Sequence, residues 1–216
     1  NAVLWPTWFG GKSENLEAFV GPGKAVNPDR FFVILVDALG NGVSCSPSNS
    51  TPALGKLTIA DMVRSQYRLV KEHLRLTRLH AVMGISMGGM QTYEWITAHP
   101  GFMSRAVPII GSPKLSSIDL LLWQAELTPI EEAESRNGDL RAAMKTVMAI
   151  HRFALETPEY RAAQTPAAAW PEYWKSIGEA AQSSIDPRDW AAQLRAMMAQ
   201  DVTRLYNGSM QQAAAA

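Results

Sequence analysis

The sequence has 216 residues, and its 20 lysine and arginine residues balance 20 aspartate and glutamate residues. This balance argues against a nucleic-acid partner and against an acidic tail, because both depend on a large net charge. With 47% hydrophobic and 19% charged residues, the chain can bury a sizeable core and is not predicted to be disordered. The single Cys45 excludes an intramolecular disulfide framework and fits a reducing cytoplasm. No cysteine and histidine cluster has the spacing of a zinc site, so we expect no metal.

Short apolar runs alternate with helical patterns in the first half of the chain, which is typical of β–α units in a mainly parallel sheet. Strands are predicted at Ala2–Trp5, Phe31–Val36, Leu79–Met83 and Ala106–Ile110. Helices are predicted at Thr58–Leu74, with Thr58 as N-cap, and at Gly88–Ala98.

The composition changes after Gly111, where leucine, alanine, methionine, glutamate and arginine replace the β-branched runs. We therefore expect a partial α/β core at 1–112 and a helical cap or lid at 113–216 that is inserted into the core and leads back to it. No apolar run approaches the roughly 18 residues that cross a bilayer, so no membrane partner is expected.

A G-x-S-x-G pentapeptide, Gly84 to Gly88, lies between the third predicted strand and the second predicted helix. A serine nucleophile in this setting sits on a tight turn, and the flanking glycines remove side chains that would collide with the neighbouring elements. The sequence thus predicts Ser86 as the nucleophile and the N–H of Met87, at the helix start, as an oxyanion donor. The alternative is a buried serine in an ordinary strand-to-helix turn.

A second oxyanion donor is expected from the loop after the first strand, which contains Trp8, Phe9 and two glycines. We favour the N–H of Phe9, with Trp8 as the next candidate. The alternative is a simple turn whose two aromatic side chains pack on the core.

A serine nucleophile also needs a histidine base and an orienting carboxylate, in the chain order serine, acid, histidine. Three of the four histidines have a structural explanation from their predicted positions: His73, His80 and His99. His151 follows Ser86, with Asp119 and Asp139 between them, but all three fall in the predicted helical cap with no strand to present them. We therefore expect the catalytic acid and base beyond Ala216.

The segment Gly84 to Gln91, GISMGGMQ, resembles the corresponding turn of homoserine O-acetyltransferases and related α/β-hydrolase-fold acyltransferases and esterases. Further similar segments follow the same order: Asn1 to Gly11, Gly21 to Lys24, Asp29 to Ile34, Thr58 to Val63, Ala106 to Ser112 and Gln200 to Arg204. The resemblance implies an α/β-hydrolase fold, a mainly parallel sheet with helices on both faces and an inserted helical cap. It also implies the roles of Ser86, Met87 and Phe9 given above, homodimer formation through the cap helices, and further chain at both ends.

The first cap helix departs from this family, which carries an arginine there for the carboxylate of the amino-acid substrate. This chain has Trp123 to Thr128, WQAELT, without an arginine, so a zwitterionic substrate would lack a bidentate partner. We expect a less polar acyl or alcohol group, with Trp123 and Leu127 as candidate substrate-binding residues; alternatively, both residues only pack the helix core.

The leading functional hypothesis is serine-dependent acyl transfer through an acyl-enzyme intermediate, in an esterase-like hydrolase or acyltransferase that acts on small acetyl esters. The expected partner is a small-molecule ester or acyl donor, and no cofactor is expected. One alternative is homoserine O-acetyltransferase, with acetyl-CoA as a substrate. A non-enzyme alternative is a binding or scaffold protein that lacks a complete triad.

Overall fold

The computed structural model describes residues 1–51 and 54–215. The chain forms two compact units, of which the first comprises residues 1–115 and 192–216 and the second residues 116–191. The second unit is shorter than the cap of 113–216 in the sequence interpretation, since residues 192–216 cluster with the first unit.

A parallel sheet in the order β2-β1-β3-β4 forms the centre of the first unit. Its strands are β1 (Ala2–Pro6), β2 (Phe32–Val36), β3 (Ala81–Ile85) and β4 (Ala106–Ile109). Since all strands run in the same direction, their carboxyl ends meet at one edge of the sheet, and the loops after β1 and β3 are neighbours there.

The helices of the first unit include α1 (Ser13–Leu16), α2 (Ile59–Arg68), α3 (Met87–Ala98) and α9 (Met210–Ala215). A π-helical segment, Leu69–His73, continues α2. The second unit contains α4 (Ser117–Ser135), α5 (Leu140–Leu155), α6 (Pro158–Gln164) and α7 (Trp170–Ser183). Helix α8 (Pro187–Met198) crosses the boundary at 191. The predicted N-cap Thr58 is confirmed, because its side chain accepts the N–H of Asp61.

The predicted third strand, Leu79–Met83, was placed two residues too early. Leu79 forms only an isolated bridge, whereas the ladder between β3 and β4 continues through Gly84 to the pair Ile85 and Ile109. The sequence pattern predicts a turn that begins at Gly84, but Gly84 lies inside the strand. The strand therefore ends directly before Ser86.

Alternate residues of the strands enter two hydrophobic clusters on opposite faces of the sheet. Leu4 and Ile34 pack with Val63 of α2 and Trp95 of α3. Their neighbours in β1, among them Trp5, contribute to the second cluster with residues that include Leu16 of α1 and Met83 of β3. Both faces of the central strands are buried, as expected of a parallel sheet with covering segments on each side. No helix within residues 1–51 and 54–215 has the length and apolar character that a bilayer crossing requires.

The segment after α8 holds the C-terminal half of α3 by polar contacts. Arg204 pairs with Glu94, with 2.8 Å between Arg204 Nη1 and Glu94 Oε2, and the Glu94 side chain is only 2% exposed. The Tyr206 hydroxyl donates to the Thr97 carbonyl at 2.9 Å. The helix that begins at Met87 is therefore fixed at its far end by residues that follow the second unit in the chain.

Asp201 stabilises the beginning of this segment. Its carboxylate accepts the backbone N–H of Thr203 and caps the 3-10 helix Val202–Tyr206, which carries Arg204. The Lys114 ammonium and the Thr203 hydroxyl hold the pKa of Asp201 below its ordinary value. Because the charged carboxylate is favoured, its contribution to stability is present above the unfolded-state pKa and is lost as the pH falls through the folded-state pKa.

Replacing Arg204 with methionine is expected to lower the free energy of unfolding by about 2 to 3 kcal/mol, since Glu94 would remain buried without its cation. This value lies at the low end for buried pairs because Arg204 itself is 37% exposed. Urea unfolding of the variant measures the loss. Arg64→Met is the matched control, because Arg64 pairs with Asp61 on the surface. Equal midpoints for the two variants would contradict a stabilising Glu94–Arg204 pair.

Candidate active site

Ser86 occupies the junction between β3 and α3 in a backbone conformation that few residues other than glycine adopt. Its φ is 55° and its ψ is −120°. The Ser86 N–H donates to the Ile109 carbonyl at 2.9 Å, and the Ser86 carbonyl accepts the Met90 N–H at 3.0 Å. Such a conformation costs about 1 to 3 kcal/mol and persists only where the surroundings impose it. Here β4 and the first turn of α3 impose it from both sides.

Glycines allow the backbone of α3 to lie directly against the sheet. A Cβ atom on Gly84 would lie 2.1 Å from the Gly88 carbonyl oxygen, and one on Gly88 would lie 2.8 Å from the Pro6 carbonyl oxygen. Gly89 is equally constrained, since its Cβ would lie 2.9 Å from Gly111 Cα. The two outer glycines of the pentapeptide are therefore required by close backbone contacts, as the sequence predicted.

Met87 is the first residue of α3, and its side chain is fully buried. The N–H groups in the first turn of a helix have no acceptor within the helix and carry the positive end of its dipole. Ser86 and the Met87 N–H are thus at a position suited to a developing negative charge.

The loop that follows β1, Thr7 to Gly11, lies at the same edge of the sheet as Ser86. Gly88 contacts the Pro6 carbonyl, so the carboxyl end of β1 lies against the first turn of α3. Trp8 and Phe9 are both half-buried in this loop. The structure therefore brings the candidate nucleophile Ser86 and the candidate oxyanion-hole residues Trp8, Phe9 and Met87 to the carboxyl ends of the two central strands.

Trp8 also has a packing role. A Cβ on Gly11 would lie 2.5 Å from Trp8 Nε1, and the Trp8 ring meets Phe19 edge-on at 6.4 Å between centroids. The Trp8 side chain packs beside the loop glycine, which fits the alternative of a turn with aromatic packing for this residue.

Three buried side-chain amides hold the loop, and the sequence interpretation missed all of them. Gln91 Nε2 donates to the Thr7 carbonyl at 3.1 Å, and Asn41 Nδ2 donates to the Gly11 carbonyl at 3.0 Å. Gln193 Oε1 accepts the Gly10 N–H at 2.8 Å. All three amide side chains belong to fully buried residues. Their partners are backbone atoms, which no sequence motif records.

Three of the four histidines lie away from Ser86 in the first unit. His80 precedes β3 at the opposite edge of the sheet, and exposed His73 ends the π-helical segment. His99 is the C-cap of α3, and a helix of 12 residues places it about 18 Å from Ser86. Its ring stacks on Tyr67 at 3.9 Å between centroids, and burial lowers the pKa of His99. These positions agree with the structural explanations expected from the sequence.

His151 lies in the second unit, where its Nδ1 is 3.1 Å from Oε2 of the fully buried Glu126. Glu126 also accepts the Trp190 indole N–H at 2.8 Å. The two aspartates considered as partners of His151 cap helices instead, Asp119 at the start of α4 and Asp139 before α5. The structure thus pairs His151 with Glu126 rather than with either aspartate.

The two residues proposed to bind substrate in the cap also lie on α4. Leu127 is 2% exposed. The Trp123 ring is half-buried, with its centroid 6.4 Å from that of His151. The burial of Leu127 agrees with the alternative of helix packing, and a substrate contact by either residue stays a prediction.

A strand that ends at a strained serine, followed by a helix whose glycines lie against the sheet, is the arrangement found in one large family. The model of that family, described as alpha/beta hydrolase fold, matches residues 3–146. The chain belongs to the alpha/beta hydrolase fold family. The fold class inferred from the sequence is thereby confirmed.

Relatives in this family include esterases and acetyltransferases, as the sequence resemblance indicated. An ethyl acetate hydrolase of Pseudomonas veronii is 39% identical over 130 residues, which cover 57% of this chain and 37% of the relative. A homoserine O-acetyltransferase of Solidesulfovibrio magneticus is 41% identical over 131 residues, which cover 56% of this chain and 33% of the relative. The matched part of this alpha/beta hydrolase chain thus spans less than half the length of either relative.

Among solved structures, the acetyl esterase MekB superposes with a TM-score of 0.89 at 26% sequence identity. The match covers 99% of this chain and 67% of the esterase chain. Nearly every residue of this alpha/beta hydrolase chain therefore has a structural counterpart in that esterase.

Proposed function

We propose that this chain belongs to a serine-dependent acyl-transfer enzyme with Ser86 as the nucleophile and a small acetyl ester as substrate. The observation that carries the proposal is the conformation of Ser86, with φ 55° and ψ −120° between β3 and α3. A strained residue at a strand-to-helix turn is a recurrent device for presenting a nucleophile. The names of two relatives, ethyl acetate hydrolase and acetyl esterase, support ester cleavage and an acetyl group.

In the proposed reaction, Ser86 Oγ attacks the acyl carbon of the ester while its proton passes to a histidine base. The negative charge on the carbonyl oxygen is stabilised by the N–H groups of Met87 and Phe9. The alcohol leaves with the proton from the base, and Ser86 carries the acyl group. Water then attacks the acyl-serine, and the carboxylic acid is released. We propose that the base and its carboxylate partner lie beyond Ala216.

Hydrolysis and transfer to an alcohol share the first half of this reaction, and they differ only in the acceptor. The name of the Solidesulfovibrio magneticus relative supports homoserine O-acetyltransferase, with acetyl-CoA as donor, as the second candidate. Against it, α4 offers no arginine between Trp123 and Thr128, and Leu127 is buried. A carboxylate of an amino-acid acceptor would lack a bidentate partner on this segment. We therefore favour the hydrolase.

The proposal is tested by labelling the full-length protein with a fluorophosphonate probe and locating the adduct by peptide mass spectrometry. We expect a single adduct on Ser86. Products from p-nitrophenyl acetate are then measured with and without homoserine. Acetate as the sole acetyl product in both reactions supports the hydrolase, whereas acetylhomoserine supports the transferase. An unlabelled protein without turnover would instead support the binding or scaffold class.

A further inference from the structure

Gln193 is a fully buried residue of α8, and both ends of its side-chain amide bond to backbone atoms of loops. Its Oε1 accepts the Gly10 N–H at 2.8 Å, and its Nε2 donates to the Leu39 carbonyl at 3.1 Å. One amide thus connects the loop after β1 with the loop after β2. Both polar ends of the side chain are satisfied by backbone atoms, so its orientation is fixed.

The surrounding backbone is adapted to this side chain. A Cβ on Gly40 would lie 3.1 Å from Gln193 Cγ and 2.9 Å from Leu57 Cδ2. Gly40 also has a φ of +84°, and Gly10 has a φ of +66°. A glycine therefore leaves room for the Gln193 stem, and a second glycine allows the turn that points the Gly10 N–H at its amide.

The contact lies next to the N–H proposed to stabilise the oxyanion. On one side of Trp8 and Phe9, Gln91 holds the Thr7 carbonyl; on the other, Gln193 holds the Gly10 N–H. These hydrogen bonds hold the peptide groups on both sides of the peptide bond between Trp8 and Phe9. Catalysis by backbone donors depends on such fixed orientation, because misplacing a reacting group by 1 Å can reduce the rate by about 100-fold.

We propose that Gln193 is a positioning residue that orients the Trp8–Phe9 segment of the oxyanion loop. It acts through the Gly10 peptide and does not touch the substrate. This inference rests on the proposed serine mechanism. It extends that mechanism by assigning a role to α8. The part of this helix from residue 192 onward, which includes Gln193, belongs to the first unit.

Replacing Gln193 with methionine keeps the side-chain length but removes both hydrogen bonds. We expect kcat for p-nitrophenyl acetate to fall by about 10- to 100-fold with KM changed less than about 3-fold, because the contact matters most when the oxyanion forms. Affinity for a trifluoromethyl ketone, which forms a hemiketal oxyanion with a serine, is expected to fall in parallel. The matched control is Gln200→Met, since Gln200 is 4% exposed and donates to Glu94 at 3.4 Å rather than to the loop.

The variant Gln193→Glu distinguishes a positioning role of Gln193 from a role in stability alone. The glutamate retains an oxygen that accepts the Gly10 N–H, but its burial destabilises the fold more than methionine does. We therefore expect Gln193→Glu to have a lower melting temperature than Gln193→Met and yet a higher kcat. A merely structural role would make kcat follow the melting temperature across the variants, and this result would overturn the inference. So would a Gln193→Met enzyme with wild-type kcat.

A failure of the proposed serine mechanism would give a different result in these experiments. If wild-type protein shows no Ser86 adduct and no turnover, the serine mechanism itself is wrong. If wild-type protein is labelled on Ser86 and turns over, while Gln193→Met matches it in kcat and ketone affinity, only the role of Gln193 is wrong.

Discussion

Replacing Ser86 with alanine is expected to lower kcat for p-nitrophenyl acetate by about 1,000-fold or more, because the covalent route through an acyl-serine is lost. Labelling by a fluorophosphonate should disappear in the same variant. Any remaining turnover would come from the oxyanion donors and substrate binding alone. Activity assays on the full-length protein measure the loss. Ser65→Ala in α2 is the control, since Ser65 Oγ donates to the Met62 carbonyl of its own helix.

The same position allows a second comparison, between alanine and glycine. Both variants lack the hydroxyl group, so both should be inactive. Glycine, however, adopts the observed φ of 55° without the steric cost that a Cβ imposes. We expect Ser86→Gly to be more stable than Ser86→Ala by about 1 kcal/mol. Full activity in either variant would exclude Ser86 as the nucleophile, and equal stability would show that the turn is not strained.

The parallel sheet and the turn at Ser86 could be predicted from the sequence because both depend on local patterns. Apolar runs of strand length and the glycines around Ser86 are contiguous in the chain. The error at Leu79–Met83 arose from the same signals, since Gly84 was interpreted as a turn residue. In the structure, Gly84 pairs with Pro108 inside the ladder, and the close approach of α3 explains why it has no side chain.

The anchoring amides could not be predicted, because their partners are distant backbone atoms. Gln193 and Gly10 are 183 positions apart, and Gln91 and Thr7 are 84 apart. A glutamine on a helix gives no local sign of burial or of its acceptor. Only the three-dimensional arrangement of α3, α8 and the loop after β1 places these groups within hydrogen-bond distance.

The carboxylate partner of His151 could not be predicted from the sequence for a different reason. Chain order alone allows Asp119 or Asp139 as its carboxylate, yet the local sequence already gives both a competing role. Asp119 lies three residues after Ser116 and completes a capping box at the start of α4, while Asp139 is the N-cap of α5. A carboxylate that caps its own helix is held on that helix. Glu126, in the interior of α4, was available to face His151.

Replacing Gly84 with alanine is expected to destabilise the first unit by more than about 3 kcal/mol, because a Cβ would overlap backbone rather than a mobile side chain. The added atom would lie 2.1 Å from the Gly88 carbonyl oxygen and 2.2 Å from its carbonyl carbon. Relief would require α3 to move away from β3, which would displace Met87 and the conformation of Ser86. Thermal unfolding and soluble yield measure the first effect, and fluorophosphonate labelling of the folded fraction measures the second.

Gly101→Ala is the matched control for this substitution, since nothing lies within 4 Å of a Cβ at Gly101. It should change the melting temperature little, in either direction. If Gly84→Ala unfolded at the temperature of Gly101→Ala and were labelled at the wild-type rate, the close contact between β3 and α3 would not be what holds Ser86 in place. A variant that folds but resists labelling would instead locate the requirement at the turn, because the strand would survive while the serine was no longer presented.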